Sequence, residues 1–76
     1  MPRLIPQHYK ILIKVFEKAG LSVSGEEASH IKMNRPDLDR PIIIPKYPEV
    51  GIDIIKANLR SAKISREEYF KLLADC

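Results

Sequence analysis

The residues able to move a proton near neutral pH are few: two histidines, His8 and His30, and one cysteine, Cys76. An imidazole titrates near pH 7, so it can take a proton from a hydroxyl, including the 2′-hydroxyl of a ribose, without help from a metal. The two histidines and the cysteine are scattered along the chain with none of the short ligand spacings of a zinc site, so no metal and no cofactor is expected. The carboxylates come as Glu26-Glu27 and as Asp37 with Asp39, both in turn-rich segments, where they read as turn chemistry rather than an acid/base pair. With three glycines in all, there is no loop to cradle a phosphate. Ser29 precedes His30 without a strand-turn-helix elbow around it, and it reads as structural.

Cations form two stripes. Lys10, Lys14 and Lys18 recur at i, i+4 along one segment, and Lys56, Arg60 and Lys63 cluster on another. Each stripe can hold phosphates through Coulomb attraction and counterion release, or can be an ordinary solvated helix face. Tyr47 lies among basic groups, where an aromatic ring either stacks on an unpaired base or anchors its loop.

The elements that must position these groups follow from periodicity. Between Gln7 and Ala19, Leu12, Val15, Phe16 and Ala19 recur at spacings of three and four, and Gly20 stands where a left-handed helix cap is needed. Leu21 to Ser24 alternates like a half-buried strand, Gly25-Glu26-Glu27 supplies a turn, and Ala28 to Met33 is a second strand. After the turn-rich Asn34 to Asp39, Arg40 to Pro45 is a third strand, its prolines marking strand ends or a sheet edge. A helix near Asp53 to Ser61 turns Ile55 and Leu59 inward, and Ser65-Arg66-Glu67-Glu68 is a capping box that opens a last helix through Leu73. This order predicts an α+β two-layer sandwich: a three-stranded antiparallel sheet with helices on one face and the other face wet. In the second strand Ser29, Ile31 and Met33 share the parity of the core, which leaves Ala28, His30 and Lys32 on the open face.

Size and composition set the limits. Seventy-six residues make one domain, 1–76, which buries roughly 60% of the surface its unfolded chain exposes, so any active site is shallow. Apolar residues are 45% and charged residues 30%, as in a folded soluble domain, and the net charge of +3 is a mild preference for polyanions. A lone Cys76 closes no intrachain disulfide, Met1 to His8 contains no apolar leader core, and the longest apolar run is Ile42 to Ile44. The expectation is a cytoplasmic protein, neither secreted nor membrane-inserted.

The run Ala28-Ser29-His30, the strand end Ile42-Ile43-Ile44-Pro45 and the tail Leu59-Arg60-Ser61-Ala62-Lys63-Ile64-Ser65-Arg66-Glu67-Glu68 together resemble the HicA family of toxin-antitoxin modules, from about Leu4 to Leu73. The resemblance implies a small metal-independent endoribonuclease, similar in fold (α-β-β-β-α) to double-stranded RNA-binding domains. It implies that the chain cuts messenger RNA, inhibits translation and is neutralised by a HicB-type antitoxin. The histidine of the family's strand motif falls on His30, where parity had already placed an exposed imidazole. The sequence departs from the family pattern at three positions: Ala28 stands for a glycine, Tyr47 for a frequent histidine, and Lys63 for a glycine between the last two helices.

The resulting expectation is a histidine-dependent RNA hydrolase, with His30 catalytic and Lys10, Lys14, Lys32, Lys56 and Arg60 binding RNA. The alternatives are a non-catalytic RNA-binding module of the double-stranded RNA-binding type and a protein-interaction domain that offers its open sheet face or edge strand.

Overall fold

The computed structural model describes residues 3–76; Met1 and Pro2, the start of the segment read for a leader, lie outside them. The element order is helix α1 (Tyr9–Lys18), strands β1 (Ser22–Glu26), β2 (His30–Asn34) and β3 (Ile42–Pro45), then helices α2 (Ile52–Ser61) and α3 (Arg66–Ala74). The strands form one antiparallel sheet in the order β1-β2-β3, so β2 is central and both of its neighbours are edges. The architecture is the expected α+β sandwich with one open sheet face.

Burial alternates along β2 as its sequence does. Ile31 and Met33 are buried, while His30, Lys32 and Asn34 are half-exposed. Ile42 and Ile44 of β3 extend the buried face, and Ile43 between them is 48% exposed on the open one. Leu12, Val15 and Phe16 of α1, Ile55 and Leu59 of α2, and Tyr69 of α3 close the core from the helix side. Each fully buried aliphatic or aromatic side chain contributes about 1.5–3 kcal/mol, which makes this layer the main source of stability.

Both α1 and α2 end in the same way. At the end of α1, the Gly20 and Leu21 amides donate to the carbonyls of Glu17 and Phe16, each at 3.0 Å, with Gly20 at φ 95°. At the end of α2, the Lys63 amide donates to Arg60 at 3.2 Å and the Ile64 amide to Leu59 at 2.9 Å, with Lys63 at φ 59°. Both are Schellman motifs, which need a left-handed residue just past the cap. Gly20 supplies that conformation freely, whereas Lys63 holds it against the clash of its Cβ. The left-handed turn falls at the position where the HicA pattern has glycine.

The hairpin between β1 and β2 differs from the expected one. Gly25 was expected in the turn, but β1 runs on to Glu26 with its register shifted between Val23 and Gly25, so the glycine lies next to a bulge. The chain reverses at Ala28 and Ser29, where the Glu27 amide donates to the His30 carbonyl at 2.8 Å. Ser29 therefore lies in the turn, exposed, and not on the core parity of a strand. His30 is the first residue of β2. Val23 is 45% exposed despite its apolar alternation, because it sits on an edge strand.

Candidate functional site

His30 opens β2 at its hairpin end, and the register sets Pro45 of β3 directly across from it. Lys32 follows on the same face, two residues along, opposite Ile43. The Lys46 amide, just past β3, donates to the Ser29 carbonyl at 2.9 Å, which brings a second lysine to the His30 end of the sheet. Both lysines are already engaged. Lys32 Nζ lies 3.4 Å from a Glu27 carboxylate oxygen, and Lys46 Nζ donates to Glu26 Oε2 at 2.9 Å. Lys32 shares the open face with His30, whereas Glu26 is paired with Ile31 and the Lys46–Glu26 pair therefore closes the hairpin end from the Ile31 side of the sheet. With their carboxylates more than half exposed, each pair is worth only about 0–1 kcal/mol, little enough for a polyanion to displace.

Among the described residues the imidazole itself has one side-chain hydrogen-bond partner. Ser29 Oγ and His30 Nδ1 are 2.8 Å apart, a hydrogen bond whose direction depends on the ring tautomer. His8, by contrast, is the N-cap of α1, and its Nδ1 accepts from the Lys10 amide at 3.1 Å. Tyr47 is 51% exposed, and its loop is held by backbone: its amide donates to Pro45 at 2.8 Å, and its carbonyl accepts from the Tyr9 amide at 3.2 Å. About half of the residue is open to solvent.

The helix cations lie elsewhere. With Leu12, Val15 and Phe16 turned to the core, the helical period points Lys10 and Lys14 away from the sheet. Lys56 and Arg60 are likewise exposed, on the flank of α2 beside the face that buries Ile55 and Leu59. The structure thus groups His30 and Lys32 on one face and adds Ser29 and Glu27, with Lys46 and Glu26 at the same end of the sheet on the Ile31 parity, while the four helix cations lie on α1 and α2 and not on the sheet. Lys46 could not be found from sequence, because its place depends on the β2–β3 register. Among the described residues no group of three or more His, Cys, Asp or Glu side chains is arranged to hold a metal, and no helix is long and apolar enough to cross a membrane.

The chain matches, over residues 9–64, the family model described as the HicA toxin of bacterial toxin-antitoxin. It belongs to the HicA toxin family. The matched span runs from the first residue of α1 through the Schellman turn after α2, and so contains His30, its lysines and the left-handed Lys63. No curated protein and no solved structure matches the HicA-family chain. Ala28, in the place of the family's motif glycine, is not at positive φ, so alanine fits there without backbone strain.

At the far end of β2 lies a different kind of site. Arg35, outside the strand by one residue, donates from Nη1 to the Ala19 carbonyl at 2.8 Å and from Nη2 to the Ala62 carbonyl at 2.9 Å. Those are the C-cap residues of α1 and α2. Nε and Nη2 also reach the two carboxylate oxygens of Asp37. A single guanidinium thus ties two helix C-termini, where a cation is favoured by the aligned backbone dipoles, and its side chain is only 22% exposed. That hydrogen bond and the adjacent positive charge hold the Asp37 carboxyl below the usual range. The neighbouring open groove of about 250 Å3, lined by Ser22, Asn34, Arg35, Pro36 and Leu38, lies at this end and not at His30.

Proposed function

We propose that this toxin is a metal-independent endoribonuclease that cuts messenger RNA in the cytoplasm, inhibits translation, and is neutralised by a HicB-type antitoxin. The observation that carries the reading is the half-exposed His30 imidazole on an uncovered sheet face, with Lys32 and Lys46 at the same end. A long, flexible polyanion needs no pocket, and a flat cationic surface suits it.

His30 acts as general base. It takes the proton of a ribose 2′-hydroxyl as that oxygen attacks the adjacent phosphorus. The bond from phosphorus to the 5′-oxygen breaks, leaving a 2′,3′-cyclic phosphate on one fragment. The 5′-oxygen of the other takes its proton from water, and His30 returns its own to solvent. Lys32 exchanges its Glu27 partner for the phosphate and stabilises the charge that builds on its oxygens, while Lys46 at the sheet end adds to the field that draws the strand in. Tyr47 stacks on an unpaired base. Lys10, Lys14, Lys56 and Arg60 hold more distant phosphates of a strand that passes round the sheet edge, adding affinity without touching the reacting atoms. A single imidazole predicts a slow enzyme, which suffices for a toxin. The antitoxin neutralises it by covering the His30 face.

The test is cleavage of RNA by purified protein in the presence of a chelator. His30→Ala is expected to keep the fold and lose cutting and toxicity; a mutant that cuts at the wild-type rate would overturn the reading. Wild-type protein that shifts RNA in a gel and leaves it intact would instead identify a non-catalytic RNA-binding module.

A further inference from the structure

The hydrogen bond between Ser29 and His30 assigns a second residue to the reaction. We propose that Ser29 is the positioning residue of the site: its Oγ accepts the Nδ1 proton of His30 and so keeps Nε2 free to act as the base. The inference rests on the reading of His30 as general base and deepens it.

Geometry carries it. Ser29 Oγ lies 2.8 Å from Nδ1, and among the described residues no other side chain is hydrogen-bonded to this ring. The backbone on both sides is held, since the Ser29 carbonyl accepts from the Lys46 amide at 2.9 Å and the His30 carbonyl accepts from the Glu27 amide at 2.8 Å. The hydroxyl is thus presented to the ring from a fixed turn. A neutral imidazole carries one proton, and the nitrogen that does not carry it is the only one able to take another. With the proton on Nδ1 and donated to Ser29, Nε2 is the basic atom, and it is the nitrogen farther from the main chain. When Nε2 receives the 2′-hydroxyl proton, the Nδ1 donor is unchanged, so one hydrogen bond serves both protonation states and the ring need not turn during the cycle. A hydroxyl can accept as well as donate, which the role requires.

His8 provides an internal contrast. Its Nδ1 accepts the Lys10 amide, so in the neutral ring the proton must be on Nε2. The chain's two imidazoles are therefore assigned opposite tautomers.

The experiment combines nitrogen-15 NMR of the two histidine rings with cleavage kinetics, for the wild type, Ser29→Ala and Ser29→Thr. The wild type is expected to show His30 protonated on Nδ1 and His8 on Nε2. Ser29→Ala is expected to move His30 toward the Nε2-protonated form, leave His8 unchanged and lower kcat about five-fold at nearly constant KM, the size of one lost neutral hydrogen bond. Ser29→Thr, which keeps the hydroxyl, is expected to restore both readouts. A His30 tautomer that is the same with and without the hydroxyl overturns the inference, and so does a shifted tautomer with an unchanged kcat. Failure of the general-base reading is a separate result: His30→Ala would then cut RNA normally, whatever tautomer the wild-type ring adopts.

Discussion

The two ends of β2 use polar groups in opposite ways. At its start, His30 stands on an open face with Lys32, and the ion-pair partners of Lys32 and of nearby Lys46 are exposed carboxylates. About 16 Å away, five residues on and just past the strand, Arg35 is largely covered and its guanidinium is committed to two helix C-caps and one carboxylate. The first arrangement is cheap to dissolve and suits a surface that must exchange partners with a polyanion. The second is costly to dissolve, because removing the guanidinium leaves two cap carbonyls without their donors. One five-residue strand thus separates the proposed binding site from a site that stabilises, and the contrast lies in burial and partner count, since both ends are basic.

The comparison can be broken most strongly at Arg35. Arg35→Ala is expected to lower the unfolding free energy by about 2–4 kcal/mol, through lost charge-assisted hydrogen bonds to two helix ends. Denaturant unfolding monitored by circular dichroism measures it. Arg35→Lys recovers only part of the loss, because an ammonium lacks the planar fork that reaches both carbonyls. A change below about 0.5 kcal/mol, the range of ordinary surface substitutions, would show that the guanidinium ties nothing.

At the other end the expected sign is reversed. The double variant Glu26→Gln, Glu27→Gln releases Lys46 and Lys32 and is expected to tighten RNA binding about five-fold at low salt, as two exposed pairs of roughly 0.5 kcal/mol each allow. Filter binding checks it, and the gain should shrink as salt is raised. Weaker binding would mean that the carboxylates position the lysines instead of occupying them.

Lys63→Gly relieves the left-handed strain beside the Arg35 tie and is expected to raise stability by about 0.5–1 kcal/mol. Thermal unfolding reads it as a higher Tm, while Gly20→Ala at the matching position should lower Tm.

The smallest effect concerns acid. Because the folded-state pKa of Asp37 is depressed, its contribution is complete above the ordinary carboxylate value and fades as pH falls below that value toward the lower folded one. Wild-type stability should therefore drop more steeply below about pH 4 than that of Asp37→Asn, measured as urea midpoints across pH.

Periodicity made much of this legible. The i, i+3, i+4 pattern of Leu12, Val15 and Phe16 with Gly20 behind it placed α1 and its cap, and the parity of Ile31 and Met33 placed His30 and Lys32 on the open face. Non-local facts were out of reach. Gly25 looked like a turn residue because bulge and turn use the same backbone freedom, and only the β1–β2 register separates them. Nothing in the residue types marks where β2 starts, so parity counted from Ala28 puts Ser29 on the core face, whereas the strand begins at His30 and leaves Ser29 in the turn. Arg35 sat in a run of turn formers and looked like loop polarity; its partners, Ala19 and Ala62, are far away in sequence and bind through main-chain carbonyls that no side-chain pattern reveals.

The central claim is that the exposed end of β2 does chemistry, and His30→Ala tests it most directly. The purified variant should unfold at the wild-type denaturant midpoint and cut RNA at least about 100-fold more slowly with chelator present, the usual contribution of a general base. An equal cutting rate in a folded His30→Ala protein would contradict the account.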